Sequence, residues 1–463
     1  MDDPNDRAFP SQLLRRFLVG GRDLSGSLLD LDDLARQVTR HVGPTSRRID
    51  TPLVTLAMAL RRIVDPDHSC RAAVEHLAAT RLAAGLAPCS DDTGGYCKAR
   101  QRLPEALLRD LTTGTGATPQ HAAPADMLSH GRVVKIVDGT GCSMPDTPAN
   151  RAAFALPAGQ KVGVGFPMAR ALIVISFACG AVLDAAIGSC RGKKTGECAA
   201  PRGLRGGLQS GDIASGDSLY GTYLDIALLA RAGVDVIFGP HARRRVDFRA
   251  GTRLGPDDHV VAWVKPQCPA WMGRETYDAL PATLAIRELR LRLVRPGSRT
   301  RVLLIATTPR DETVFSKADL TGLSRLRWQV ELDIRSLKQS LAMDVLRCRT
   351  PAMVRKEIWG HLLVDNLIRG AMTAAARGSG LKPRELSSQG ARQTLRAFAG
   401  ALKEATDETF AAHIGLILAR LARHRVGDRP DRFEPRERKR RPKRSRDLQF
   451  PRPEARRRAA LAG

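Results

Sequence analysis

The run from Ala171 to Gly188 constrains the fold more than any other segment, because it is the only long apolar stretch in the chain and nearly reaches the length of a membrane span. Two features argue against a helix in lipid. Asp184 would place a charge in hydrocarbon, and Cys179-Gly180 interrupts the run near its middle. Two short buried strands joined by a turn, Ala171 to Ala178 and Ala181 to Ile187, accommodate both. Buried strands need a sheet around them. Further β-type segments lie at Val133 to Val137, before the run, and at Asp212 to Ala214, Val234 to Phe238 and Val302 to Thr307, after it, with a helical stretch from Tyr223 to Ala232 among them. Strands interspersed with helices in this way predict a mixed α/β sheet.

The flanks read as helix. From about Leu28 to Leu111 apolar residues recur at helical spacing: Leu53, Leu56, Ala57, Leu60 and Ile63 form one run, ended by Asp65-Pro66-Asp67. A second helix starts at Ser69 as N-cap and passes Val74, Leu77 and Leu82 before Gly85. The basic segment Lys98-Ala99-Arg100-Gln101-Arg102 lies between helices, which suits a DNA-binding helical domain and a plain helical bundle equally. A Gly, Thr, Ala and Pro-rich stretch from Thr113 to Ala125 marks the change to strand. The expected organisation is a helical, DNA-binding N-terminal region over 1–125 and a sheet domain over 126–380 that carries a strand-prone insertion at about 241–300. A helical C-terminal region over 381–463 completes it, with helical stretches predicted from Ala352 to Arg377 and from Ala391 to Arg423.

Charge narrows the partner. Lys and Arg number 74 against 48 Asp and Glu, a formal +26, which favours a polyanion; nucleic acid is the commonest, and an anionic membrane surface is the rival. The tail from Arg436 to Arg446 reads either as a flexible arm drawn to phosphate or as a solvated, solubilising segment. Met1-Asp2-Asp3-Pro4 has no basic segment leading into an apolar core, so a cytoplasmic location is expected. Nine scattered cysteines, odd in number and without CxxC pairs, predict reduced packing thiols and neither a disulfide framework nor structural zinc.

The residues that could carry chemistry centre on Arg327 to Lys338. On one continuous helix, Arg327, Glu331, Arg335 and Lys338 share a face on which one acid sits among three bases. Such a face could hold a divalent ion through Glu331 while its cations bind phosphate oxygens; Glu331 and Arg335 could equally form an ordinary i, i+4 surface salt bridge. Metal-assisted phosphoryl chemistry draws its carboxylates from separate elements. Asp138, at the end of the apolar strand Val133 to Val137, and Asp217, in Ala214-Ser215-Gly216-Asp217-Ser218, are positioned for that, although each also fits an ordinary turn.

Taken together these residues resemble a DDE transposase of the insertion-sequence-four family. The signature of that family is tyrosine, two residues, arginine, three residues, glutamate, six residues, lysine, and Arg327, Glu331 and Lys338 stand at its spacing. Val137-Asp138-Gly139-Thr140 resembles the first-aspartate region, and Gly211-Asp212 through Gly216-Asp217 the second. Trp263-Val264-Lys265-Pro266, Trp271-Met272, Arg349-Thr350-Pro351 and Asn366-Leu367-Ile368-Arg369 resemble the flanks. Two positions depart: Ser324 stands where the signature has tyrosine, and Asp365 where relatives commonly carry an aromatic.

The resemblance implies an α/β ribonuclease H-like core, a mixed sheet flanked by helices, with a β-rich insertion and helical terminal regions. It implies that Asp138, Asp217 and Glu331 hold two Mg²⁺ ions, for which Mn²⁺ can substitute. It makes Arg327, Arg335, Lys338 and Ser324 candidates for contact with transposon-end DNA, together with Arg243, Arg244 and Arg245. In the insertion, Trp271 and Trp263 are candidates for stacking on a base, and structural packing is the alternative for both. Double-stranded DNA, as transposon ends and as target, is the implied partner, and a dimer is expected once two ends are synapsed. A catalytically impaired transposase that only binds DNA is the alternative.

Overall fold

The structure is a computed structural model that describes residues 31–43, 49–190, 204, 206–293, 301–326, 328–427 and 448–462. The polybasic run from Arg436 to Arg446 lies outside the described residues, and so does Arg327.

Among the described residues five helices precede the sheet: α1 (Leu31–Val42), α2 (Pro52–Val64), α3 (Cys70–Ala83), α4 (Thr93–Arg102) and α5 (Glu105–His121). The starts of α2, α3 and α4 are capped by the side chains of Thr51, Ser69 and Asp92, each accepting from a backbone N–H of the first turn. Most of the Thr113 to Ala125 stretch turns out to be the second half of α5, whose Thr115, Gly116 and Pro119 are buried. Tertiary packing overrides the weak helix propensity of its Gly and Thr residues.

Strands β1 (Val134–Ser143), β2 (Met168–Ser176), β3 (Val182–Ser189), β4 (Ile213–Gly216) and β5 (Asp235–Phe238) follow, with α6 (Pro148–Ala153) and α7 (Tyr223–Arg231) between them. The apolar run from Ala171 to Gly188 is β2 and β3, antiparallel and joined at Gly180. Its one charge, Asp184, is accommodated by hydrogen bonds from Ala185 N at 2.8 Å and Arg109 Nη2 at 3.4 Å. Next come β6 (Thr252–Gly255), β7 (Asp258–Val264), α8 (Arg274–Asp278), β8 (Thr283–Leu293) and β9 (Arg301–Thr307).

The nine strands of the described residues form one sheet, in the order β3-β2-β1-β4-β5-β9-β8-β7-β6. β1, β4 and β5 are parallel; β2, β3 and β9 run against their neighbours. The β-rich insertion is therefore an extension of the core sheet: β9 pairs with β5 at Ile237–Thr307 and Phe238–Ala306, and with β8 on its other side.

Period-2 alternation divides the sheet between two cores. Ile136, Cys142, Ile173, Ile175 and Ile213 face one helical layer, and Val137, Leu172, Val174, Ala214 and Val236 face α7 and the insertion. The first layer is built on α11 (Pro351–Gly378), a 28-residue helix buried around most of its circumference because α5, the sheet and the C-terminal helices enclose it. Asn366 joins three of these elements: its amide donates to Thr112 O on α5 and Val182 O on β3, both at 2.8 Å, and accepts from Val182 N at 2.7 Å. The C-terminal helical stretch is two helices, α12 (Ser388–Glu404) and α13 (Asp407–Arg423), because Thr406 and Thr409 form a capping box that starts a new helix. Between β9 and α11 lie α9 (Lys317–Leu326) and α10 (Trp328–Arg335), and α14 (Arg452–Ala462) ends the described chain. Among the described residues no helix is long and apolar enough to cross a membrane.

Candidate active site

β1 and β4 pair in parallel from Val134 opposite Ile213 to Val137 opposite Gly216, and there β4 stops. β1 continues along β2 to Ser143, so Asp138 lies within a strand and not at its end as the apolar run suggested. It is nonetheless the first β1 residue past its parallel neighbour, and Asp217 is the first residue past Gly216. Register thus sets the two aspartates side by side at the carboxyl end of the parallel pair, where strands are about 4.8 Å apart and open sheets bind ligands. Backbone holds both carboxylates: Asp138 Oδ1 accepts from Gly139 N and Asp217 Oδ1 from Leu219 N, each at 2.8 Å. The acids at the opposite, amino-terminal end of these strands are used structurally. Asp212 pairs with Lys135 at 2.6 Å and Asp235 with Arg132 at 2.6 Å.

Glu331 is carried by α10, which rests against β1. Val330 and Leu337 are buried beneath that helix, whereas Glu331 and Arg335 are exposed. Among the described residues Glu331 forms no ion pair, so the i, i+4 bridge to Arg335 is not made. Ser324, half-buried, lies near the end of α9, before the Arg327 position.

The helix does not continue unchanged to Lys338. Ser336–Ser340 form a π turn, with Leu341 N donating to Ser336 O at 3.2 Å, so the regular α-helical spacing behind the shared face of Glu331, Arg335 and Lys338 holds only as far as Arg335. Lys338 is half-buried toward β1, near enough to Cys142 to oppose the burial that pushes that thiol up to about 12.

Asp333 is a residue of this stretch that sequence reasoning missed. It faces inward with Val330 and Leu337, and Arg384 Nη1 reaches its two oxygens at 2.8 and 2.6 Å. Arg369 Nη2 reaches it at 2.9 Å. A charged residue at i+3 from one apolar core position and i−4 from another was the available signal, since a buried charge calls for a buried partner.

The insertion candidates divide. Trp263 is core: only 1% exposed, it donates from Nε1 to Glu288 at 2.8 Å. The Arg244 guanidinium lies 3.7 Å from its ring centroid and donates to the same carboxylate at 3.0 Å, while Arg243 and Arg245 on either side are exposed. Trp271 is half-buried against the second core. In the N-terminal basic segment, Arg100 is buried between Cys70 and Cys348, at 3.3 and 3.4 Å from their sulfurs.

Asp138, Asp217 and Glu331 supply carboxylate oxygens only, the donor type that hard cations such as Mg²⁺ and Mn²⁺ take, so the donor set fits. Among the described residues no three His, Cys, Asp or Glu side chains are gathered closely enough to hold an ion: register unites two of the acids without drawing Glu331 into a closed cage.

A sheet ordered β3-β2-β1-β4-β5, with β2 antiparallel to both its neighbours and helices on both faces, defines a ribonuclease H-like protein. The sequence model of the family described as Transposase DDE domain matches residues 129–367, which run from just before β1 into α11. The chain belongs to that family. It is 26% identical over 300 residues to the transposase InsG for insertion sequence element IS4 of Escherichia coli (strain K12), a match that covers 63% of each chain. It is 34% identical over 83 residues to the transposase for insertion sequence element IS421 of Escherichia coli, covering 17% of this chain and 22% of that one. The chain thus spans less than two thirds of the length of these relatives. A loose superposition, TM-score 0.41 at 9% identity over 88% of this chain and 85% of the other, relates it to a piggyBac transposase solved as a synaptic complex with hairpin DNA.

Proposed function

We propose that the protein binds the terminal inverted repeats of its own insertion sequence, cuts them and joins the freed 3′-ends to target DNA. The observation that carries this reading is the register adjacency of Asp138 and Asp217 on β1 and β4, with the Glu331 helix resting against β1. Asp138, Asp217 and Glu331 would hold two divalent ions, which when bound supply activation of the attacking oxygen and stabilisation of the leaving oxygen in an in-line displacement at phosphorus. The chain's own part is positioning. Backbone N–H groups fix the two aspartates, Arg335 and Lys338 offer cations beside the acid helix, and Arg243 and Arg245 offer two more on the insertion. Arg327, Ser324, Arg244 and Trp271 complete the proposed DNA-contacting set; for Arg244 the available edge is what remains beyond Glu288 and Trp263. Two ends must meet for joining, which requires a dimer on DNA.

The test is incubation of the purified full chain with Mg²⁺ and a DNA fragment bearing the element's terminal repeats. We expect cleaved and joined products that Glu331→Ala abolishes while binding persists. Binding without cleavage by the unmodified chain would overturn the reading in favour of a repurposed DNA-binding protein, the alternative that Ser324 at the tyrosine position favours. Nicks without joined products would identify a nuclease that lacks strand transfer.

A further inference from the structure

We propose that Asp333 is a positioning residue for Glu331, held by a buried ion network that ties the acid helix to the C-terminal region; the inference rests on the reading of Glu331 as a metal ligand. The network has four members. Arg384, from the short turn before α12, grips both oxygens of Asp333 and also donates to Phe177 O at 2.7 Å and Ser176 O at 2.8 Å at the end of β2. Arg369 of α11 bridges Asp333 at 2.9 Å and Asp365 at 3.5 Å. The four side chains are 1 to 9% exposed, so these contacts form away from the screening of water.

The β2–β3 turn is shaped around the two guanidiniums. Gly180 has φ +80°, and a Cβ there would lie 2.8 Å from Arg369 Nη1 and 3.1 Å from Arg384 Nη1. A second contact reinforces the first: Ser336, where the π turn begins, hydrogen bonds to Ser388 on α12 at 2.8 Å. α10 is therefore fastened at Asp333 and again one turn later, on the side away from Glu331 and Arg335. Glu331 is exposed and makes no ion pair among the described residues, so among these residues it is the inward clamp that sets its azimuth. Partners that orient ligating side chains change metal affinity by roughly 10- to 100-fold when removed.

The experiment is a double-mutant cycle read by Mn²⁺ binding to the full-length protein, followed by the electron paramagnetic resonance signal of the free ion. Glu331→Ala is expected to weaken binding, and Asp333→Asn to weaken it roughly 10-fold or more. The double variant should bind no more weakly than Glu331→Ala alone, because Asp333 acts through Glu331; a merely structural role would add its effect to that of Glu331→Ala. Arg384→Lys keeps a charge beside Asp333 but loses the β2 carbonyls, and it decides the matter if Asp333→Asn fails to fold. Glu331→Ala weakening Mn²⁺ binding while folded Asp333→Asn and Arg384→Lys bind like the parent would overturn the positioning role alone. Parent-like binding by Glu331→Ala would instead overturn the ligand reading and the inference with it.

Discussion

Asp365 sits on α11 among Leu362, Leu363 and Val364, fully enclosed, where burial raises its carboxyl to about 6 while Arg369 pulls it down and Asp333 pushes it up. A folded-state pKa above the ordinary 3.8 means that the fold favours the protonated form. The associated stability is complete below about pH 3.8 and is lost as pH rises through about 6. Asp365→Asn removes that loss. Its stability relative to the parent, measured by denaturant unfolding, should improve between pH 4 and pH 7 by on the order of 2 kcal/mol; a difference that stays constant across this range would refute the assignment. Glu357 has the opposite sign. Despite burial, Arg62 Nη2 at 2.8 Å holds it down to about 2, so its contribution is present above 4.5 and is lost as pH falls toward 2. Glu357→Gln should cost roughly 3–5 kcal/mol at pH 7, because it leaves Arg62 buried without its partner, and should flatten the stability curve below pH 4.5. A cost near zero would mean that the pair does little. In the sequence Asp365 stands out only as a departure from the aromatic that relatives commonly carry; the structure pairs it with Arg369, one turn on. The sequence could not identify Glu357 with Arg62, which are 295 residues apart in the chain.

The contact of α5 with α11 and β3 turns on one glycine. A Cβ at Gly116 would lie 2.0 Å from Val182 O and 2.9 Å from Asn366 Nδ2. Helix propensity alone would make Gly116→Ala stabilising by about 1 kcal/mol. The clash requires α5 to shift off β3, so a net loss of roughly 1–3 kcal/mol is expected in the denaturation midpoint; a stabilised variant would show that the packing yields easily. The same contact explains why this half of α5 was hard to read. Gly and Thr are weak helix formers, chosen here for close approach, and composition records their weakness without recording the neighbour. Apolar runs did locate β2, β3 and β5, which are buried on both faces, and helical spacing located α2, which buries a regular face. The π turn at Ser336–Ser340 left no such trace: it changes winding, not polarity.

For the whole molecule the controlling quantity is charge. A formal +26 predicts DNA binding dominated by phosphate contacts and therefore by salt. Deleting Arg436 to Arg458 should weaken binding to a similar degree across unrelated DNA sequences and make the plot of log affinity against log salt shallower; an unchanged slope would mark the tail as a solvated segment. By itself the sequence determined the sheet, from its apolar runs, and the spacing of Arg327, Glu331 and Lys338 that resembles a known signature, because periodicity and spacing are local and survive in one dimension. Only the tertiary structure decided that β4 ends where Asp138 meets Asp217, that the insertion continues the core sheet through β9, and that Asp333 is clamped from the C-terminal region. Those depend on strand register and on buried charge pairs between distant residues, and neither leaves a period in the sequence.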